Sequence, residues 1–294
     1  MCVRGSAARK CDERGCPLQS QLTRWPEGAA IFLLCMDSAA AIVVADLHKS
    51  YGDVEAVRGI SFSVRRGTTT ALLGGNGAGK TTTLSMLLGV LTPTAGRVTV
   101  LGAEMPQERH RVLPRLNFTS PYVDLPKRLT VRENLAVFAD LYGVRDMRER
   151  IAAVAADCDL TELLKRPYGT LSAGQRTRVS LAKAVINEPE VLLLDEPTAS
   201  LDPDIGDRMR TYLEQYQHRT GCTMLLASHH MGEVERMCDD VIMLREGRVV
   251  DQGSPQALLE RYGRANLEEV FLDIARGRAG EPVPGSVAEE IAAM

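Results

Sequence analysis

Apolar and polar positions alternate in two different ways along the chain. From about residue 42 onward, short apolar runs typical of β-strands alternate with segments whose apolar residues recur at helical spacing. This alternation predicts an α/β fold with a mostly parallel sheet and crossover helices. Several runs are apolar throughout, as expected for strands buried on both faces. The predicted strands are 42–46, 60–64, 69–73, 97–101, 191–194, 223–227, 241–244 and 248–252.

The pattern becomes helical between the two halves of this predicted sheet. Over about 121–176, apolar residues follow helical spacing, and helices are predicted in 133–142 and 148–156. We interpret this stretch as a helical insertion. Beyond the last strand, 255–278 predicts two amphipathic helices, and the Pro, Gly and Ala residues of 280–294 predict a flexible tail.

These changes divide the chain into three parts. Residues 1–41 are predicted to be a poorly structured N-terminal extension, 42–253 one α/β domain containing the insertion, and 254–294 C-terminal helices and tail. The first 35 residues hold four of the seven cysteines, and one interpretation is a misassigned start, with translation beginning at Met36. An odd number of cysteines without repeated CxxC spacing argues against a disulfide framework.

Composition narrows the class of protein. A chain of 294 residues with 45% hydrophobic content can bury a full core. The longest apolar run, 29–36, has eight residues, whereas a helix that crosses a bilayer needs about 20. The formal charge of −3 comes with no run of five like charges, so no nucleic-acid partner is expected.

The clearest chemical motif lies between the predicted strand 69–73 and a helical run that starts at Thr82. It has the pattern GxxxxGK[ST], whose backbone N–H groups surround a polyphosphate. Its residues are Gly74, Gly75, Asn76, Gly77, Ala78, Gly79, Lys80 and Thr81. Lys80 is expected to neutralise the β- and γ-phosphates and Thr81 to bind Mg²⁺, with Thr82 beside them. The sequence therefore predicts a site for ATP and Mg²⁺.

Two acidic residues follow the apolar run 191–194. We expect Asp195 to hold the Mg²⁺ shell and Glu196 to polarise the attacking water. On its own, such an acidic pair is more often a solvated turn. The phosphate-binding motif upstream changes that balance and favours nucleotide hydrolysis.

A third motif, Leu171-Ser172-Ala173-Gly174-Gln175, opens a predicted helix with Ser172 as its N-cap. A helix start of this kind favours anions. LSAGQ closely resembles the LSGGQ signature of ABC-type ATPases, and the order of phosphate loop, signature and acidic strand is theirs as well. The resemblance implies a P-loop NTPase fold with a mostly parallel sheet core, an antiparallel β edge subdomain and a helical insertion.

The resemblance also assigns roles to individual residues. Tyr51 matches the aromatic residue that stacks on adenine, 199–202 the loop at the dimer seam, and His229 the histidine that contacts the γ-phosphate. With Glu196 and Lys80, His229 completes the expected catalytic set. The family arrangement is a homodimer in which ATP lies between the phosphate loop of one copy and the signature of the other. The signature residues expected at that nucleotide are Ser172, Gly174 and Gln175.

One residue of the family pattern is missing. A glutamine usually stands at the entry to the helical insertion, where it contacts Mg²⁺, but Pro121 occupies that position and no glutamine lies between Gln107 and Gln175. A proline has no amide side chain to replace it. The neighbouring polar residues that could take over are Ser120, Tyr122 and Asp124.

The resemblance predicts an ATP-binding and ATP-hydrolysing subunit that powers a membrane transporter. Phrases at 129–135 and 266–271 resemble the ABC-2 exporter group, which implies a separate transmembrane permease and a cytoplasmic protein held peripherally on the inner face of the membrane. The alternatives are a soluble ABC-type ATPase in DNA repair or translation, or an importer ATPase. A long coiled coil or second cassette would favour the former, a large C-terminal domain the latter. The transported substrate is not encoded in these residues.

Overall fold

The computed structural model describes residues 40–276, so the predicted extension up to residue 39 and the tail at 280–294 lie outside the described residues. Residues 40 and 41, the last two of the predicted extension, belong to the first strand. The strands are β1 Ala40–Tyr51, β2 Val54–Arg65, β3 Thr69–Gly74, β4 Ala95–Val100, β5 Ala103–Met105, β6 Leu116–Thr119, β7 Val191–Asp195, β8 Thr223–Ser228, β9 Asp240–Arg245 and β10 Arg248–Gly253. The α-helices are α1 Lys80–Leu87, α2 Arg109–Val112, α3 Val131–Leu141, α4 Met147–Asp157, α5 Ala173–Ala184, α6 Pro203–Thr220, α7 Met231–Met237, α8 Pro255–Tyr262 and α9 Leu267–Ala275. Short 3-10 helices span Leu113–Arg115, Thr161–Leu163 and Tyr168–Thr170.

The central sheet has the strand order β10-β9-β3-β8-β7-β6, and only the pairing of β10 with β9 is antiparallel. Strands β3, β7 and β8 are buried along their whole length. Side chains alternate between the two faces, so Leu73 and Leu194 join one apolar cluster while Leu72 and Leu193 join the other. Since parallel strands end at the same edge, β3, β7 and β8 bring their C-terminal residues together.

A second, antiparallel sheet has the order β2-β1-β4-β5. Its residues Val44 and Ile60 share an apolar cluster with Leu72 of the central sheet. Strands β1 and β2 run several residues beyond the predicted 42–46 and 60–64, because their outer ends are polar and partly exposed, which hides a strand from an apolar pattern. This sheet is the antiparallel edge subdomain expected from the family resemblance.

The helical segment after β6 contains α3 and α4, which pack together through buried Leu135, Ala139, Ile151 and Val154. Helix α3 begins two residues before the predicted 133–142 because Thr130 caps it. The Thr130 Oγ1 accepts from the Glu133 N–H at 3.2 Å, and Glu133 Oε2 accepts from the Thr130 N–H at 2.7 Å.

Helices α8 and α9 follow the central sheet and pack against it through Leu258, Val270 and Ile274. The Arg245 guanidinium of β9 donates to the Ile274 carbonyl at 2.7 Å and so ties α9 to the sheet. Over residues 40–276, no helix has both the length and the apolar composition that crossing a bilayer requires.

Candidate active site

The connection from β3 to α1 has a backbone that only glycine fits at its two ends, Gly74 as the last residue of β3 and Gly79 just before α1. Gly79 has φ +102°, and a Cβ there would lie 2.8 Å from the Ala56 carbonyl oxygen. A Cβ on Gly74 would lie 2.7 Å from the Leu244 carbonyl oxygen. The neighbouring β2 and β9 therefore force the loop into a tight curl, and its outer residues Asn76 and Gly77 remain exposed.

The N-terminus of α1 is suited to an anion. No side chain caps it, and its first turn holds no acidic residue among the described positions. The Thr83 hydroxyl donates to the Gly79 carbonyl at 2.9 Å and is buried, whereas Thr81 is exposed and Thr82 is partly exposed at the same helix start. The backbone N–H groups of the first turn and the Thr81 hydroxyl are thus accessible to a phosphate and its metal.

Lys80 lies half-buried beside the acids that were predicted to act with it. Its ammonium donates to the Gly74 carbonyl at 2.5 Å and the Gly75 carbonyl at 3.3 Å. Burial lowers the pKa of Lys80, and the negative charges of Glu196 and Asp195 oppose that shift. The phosphate loop and the acidic end of β7 therefore lie close enough for their charges to interact.

Asp195 is the last residue of β7 and is buried at 6% exposure. Burial raises the pKa of its carboxyl group, while a hydrogen bond from the Ser120 hydroxyl to Asp195 Oδ2, 3.1 Å long, lowers it. A desolvated carboxylate gains from a cation beside it. This environment suits a metal ligand.

Glu196 follows directly and has a left-handed backbone with φ +49°, which is strained for a residue other than glycine. Its N–H donates to the Ala227 carbonyl at 2.8 Å, so β8 holds the turn in place. Glu196 Oε1 lies 2.6 Å from His229 Nδ1, whereas its buried Oε2 has no hydrogen-bond partner among the described residues. An orphaned buried oxygen is expected to accept from a bound group.

A buried carboxylate that sequence reasoning missed supports both sides of this pair. Glu233 of α7 accepts from the Ser228 hydroxyl at 2.8 Å and from the Thr198 hydroxyl at 2.9 Å. Ser228 precedes His229, and Thr198 lies two residues after Glu196. Glu233 therefore fixes the end of β8 relative to the turn after β7. The only signal in the sequence was an acidic residue four positions after His229.

The signature residues form a capped helix start on the surface. The Ser172 Oγ accepts from the Gln175 N–H at 3.3 Å, and Gln175 Oε1 accepts from the Ser172 N–H at 3.0 Å. A Cβ on Gly174 would lie 3.1 Å from the Ser200 carbonyl oxygen, so this helix start packs closely on the loop after Glu196. Ala173, which replaces the usual glycine, is exposed and meets no such restriction.

The structure brings Lys80, Asp195, Glu196 and His229 together at one sheet edge. Tyr51 and Ser172 have no contact with these four residues in the described part of the chain, since Tyr51 lies beside Lys49 and Ser172 beside Gln175. Tyr51 ends β1 on the antiparallel sheet, 52% exposed, with the Lys49 ammonium 5.2 Å from its ring centroid. An exposed ring and an exposed helix start leave both available to a nucleotide or to a second protein chain.

Comparison with known proteins agrees with this geometry. A family profile described as ABC transporter matches residues 57–199. A relative from Ralstonia nicotianae, Nod factor export ATP-binding protein I, is 38% identical over 242 residues, which are 80% of this chain and 74% of that protein. Two solved structures are similar. One is the ATP binding subunit of an ABC transporter, with TM-score 0.75 and 26% identity over 80% of this chain and 99% of that one. The other is cbiO1 from Clostridium perfringens, with TM-score 0.68 and 28% identity over 81% and 97%.

The family and fold class predicted from the phosphate loop and LSAGQ are therefore confirmed. The match to the Ralstonia relative spans 80% of this chain, which is long enough to include the phosphate loop, the acidic pair after β7 and the signature. With a phosphate loop, a buried carboxylate and a glutamate–histidine pair at one sheet edge, the chain belongs to the ABC transporter family as an ATP-binding subunit with ATPase activity.

Proposed function

We propose that this ATPase drives an exporter through a separate transmembrane permease. One observation carries the hydrolytic part of the proposal: Lys80, Asp195 and the Glu196–His229 pair lie together beside the phosphate loop. These groups supply what ATP hydrolysis needs, which is charge neutralisation and a base for water.

The donors at this sheet edge fit Mg²⁺. Asp195 offers a buried carboxylate and Thr81 an exposed hydroxyl, and hard oxygen ligands of this kind suit the ion. When bound, Mg²⁺ neutralises developing charge on the phosphates. Lys80 would add a second positive charge, and the N–H groups at the start of α1 would orient the phosphates.

Glu196 would accept a proton from the attacking water. Its Oε1 is held 2.6 Å from His229 Nδ1, which fixes the carboxylate while Oε2 stays available. His229, with a side chain 59% exposed, would reach the γ-phosphate from the same pair. Both residues keep their positions through Glu233, because its carboxylate binds the segments on either side.

The active unit would be a homodimer. Ser172, Gly174 and Gln175 form an exposed or half-exposed helix start whose N–H groups favour an anion. A second copy would bring its phosphate loop to this surface, with ATP between the two. ATP binding would then close the dimer and hydrolysis would open it, because the interface is complete only when the charged nucleotide is bound.

Export and a membrane partner are supported by the relatives. The Ralstonia protein is named for Nod factor export, and cbiO1 is described as part of the ABC transporter complex cbiONQ. The phrases 129–135 and 266–271, at the starts of α3 and α9, are those that resemble exporter subunits. We infer a peripheral position on the inner face of the membrane, where a permease would hold both copies.

The test measures retention of labelled ATP with Mg²⁺ by three purified proteins: wild type, Lys80→Ala, and Lys165→Ala as an exposed lysine control. Loss of a charged contact with phosphate should weaken retention about 10- to 100-fold in Lys80→Ala and leave Lys165→Ala unchanged. Equal retention by Lys80→Ala and wild type would overturn the assignment of the loop.

A companion variant, Glu196→Gln, separates binding from hydrolysis. It should retain ATP and accumulate as a dimer in light scattering, while turnover falls about 10²- to 10⁴-fold, because the amide cannot take up a proton. Turnover equal to that of the wild type would remove Glu196 from its proposed role.

A further inference from the structure

The position where a glutamine is expected holds Pro121, and the strand before it decides which neighbour lies near the metal-holding carboxylate. Strand β6 pairs in parallel with β7, and Thr119 is the partner of Leu194. The residue after Thr119 is Ser120, just beyond β6, and the residue after Leu194 is Asp195, the last of β7. The register places Ser120 beside Asp195 at the sheet edge, whatever residue follows at 121.

The three polar residues near this position have different surroundings. Tyr122 is 83% exposed. Asp124 pairs with Lys127 at 2.9 Å on the surface, and the hydrogen bond from that lysine lowers its pKa. Ser120 alone among the three has a side-chain hydrogen bond to the catalytic carboxylates, from its Oγ to Asp195 Oδ2 at 3.1 Å.

Buried polar contacts fix the strand that presents Ser120. The Lys183 ammonium donates to the Phe118 carbonyl at 2.8 Å, and the Thr119 and Ser180 hydroxyls lie 2.7 Å apart. The turn that follows is closed by the Val123 N–H, which donates to the Ser120 carbonyl at 3.2 Å. Ser120 and Asp124 both line a cavity of about 160 Å³ together with Asp195 and Glu196, so the hydrogen bond to Asp195, and not the position at the cavity, distinguishes Ser120.

We propose that Ser120 is the positioning residue through which the loop after β6 acts on the metal site, in place of the missing glutamine. Its hydroxyl holds Asp195 Oδ2 and thereby orients the carboxylate toward the metal. The inference rests on the proposed function, since it takes Asp195 as the residue that holds Mg²⁺. In the usual arrangement the glutamine contacts Mg²⁺ itself, whereas here Ser120 would act on the metal through Asp195.

The test is a titration of Mg²⁺ at fixed ATP concentration. The amount of nucleotide that the protein retains is measured within a time too short for turnover. The proteins are wild type, Ser120→Ala, Ser120→Thr, and Tyr122→Phe as a control, because Tyr122 lies in the same turn and is 83% exposed. In Ser120→Ala, half-maximal retention should need about tenfold more Mg²⁺, the value of one hydrogen bond to a charged group. Retention in excess chelator should be unchanged.

Ser120→Thr keeps the hydroxyl and should restore the wild-type Mg²⁺ requirement, while Tyr122→Phe should match the wild type. A Mg²⁺ curve for Ser120→Ala that coincides with those of wild type and Tyr122→Phe would overturn the assignment, and so would a shift that threonine does not rescue. If the wild type itself retained no ATP at any Mg²⁺ concentration, the proposed function would fail first. Thermal melts without nucleotide show whether each variant is folded.

Discussion

At the scale of single residues, Lys183 shows how strongly the strand before Ser120 is fixed. It lies on α5 at 4% exposure, and its ammonium donates to Asn117 Oδ1 at 3.1 Å as well as to the Phe118 carbonyl. The rings of Phe118 and Phe138 lie 4.5 Å and 5.3 Å from the same ammonium. One cation thus joins α5, β6 and α3, although burial opposes its charge.

Burial lowers the pKa of Lys183 from 10.5 to about 8. Between these values the unfolded chain keeps a proton that the folded protein has released, so this residue adds stability as pH rises from about 8 to 10.5 and the added stability is lost as pH falls. Relative to Lys183→Met, the free energy of unfolding of the wild type should rise by about 2–3 kcal/mol across that window. Urea unfolding at several pH values measures it.

Exposed Lys165 supplies the control, because Lys165→Met should keep the pH profile of the wild type. Parallel stability curves for wild type and Lys183→Met between pH 8 and 10.5 would contradict the expected effect of burial on Lys183.

At the scale of elements, two helices start with the same capping box but serve different purposes. Thr130 and Glu133 cap α3 inside the helical insertion, and Ser172 and Gln175 cap α5 on the signature. In both, a side-chain oxygen accepts from the third residue of the helix, and that residue accepts in return. The two caps stabilise their helices in the same way. A functional role of Ser172 therefore has to be tested by comparing its replacement with that of Thr130.

Replacing either cap by alanine should cost about 1 kcal/mol of stability, because one N–H at the helix start loses its acceptor. Ser172→Ala should also lose ATP-dependent dimerisation and most turnover, whereas Thr130→Ala should keep both. Chemical unfolding, light scattering with ATP and phosphate release measure the three effects. Equal ATPase activity in the two variants would restrict Ser172 to a structural role.

Local patterns predicted most of these elements, and pairings between distant segments account for what was missed. The phosphate loop and the signature cap depend on adjacent residues, so the sequence alone located them. The three-residue β5 carries no periodicity to detect. The contacts of Glu233 with Thr198 and Ser228 join three segments, and the contact of Ser120 with Asp195 depends on strand register. No single stretch of sequence contains that information.

At the scale of the whole molecule, the central sheet separates two apolar clusters, and the cysteines of the described part of the chain all belong to one of them. Cys158, Cys222 and Cys238 are free thiols with at most 8% exposure. Burial raises the pKa of Cys158 and Cys222 to about 12 and raises that of Cys238 as well. Reagents that attack thiolates should therefore reach them only when the protein opens.

Iodoacetamide at neutral pH should leave these three cysteines unmodified in the native protein and label all of them in urea, as read by mass spectrometry of their peptides. The labelling rate at intermediate urea should follow global unfolding, because each thiol lies among residues of the core. Rapid native labelling of Cys158 or Cys222 would show that the core opens locally.

Strand β6 has four residues and pairs only with β7, as the last strand of the central sheet. Strands β3, β7 and β8 have partners on both sides. Within the sheet, a mechanical load on the helical insertion would therefore be resisted by one short ladder of backbone hydrogen bonds, to which the contacts of Lys183 with Asn117 and Phe118 add. Because Ser120 directly follows this strand, any displacement that the load produces would change the distance between the Ser120 hydroxyl and Asp195 Oδ2.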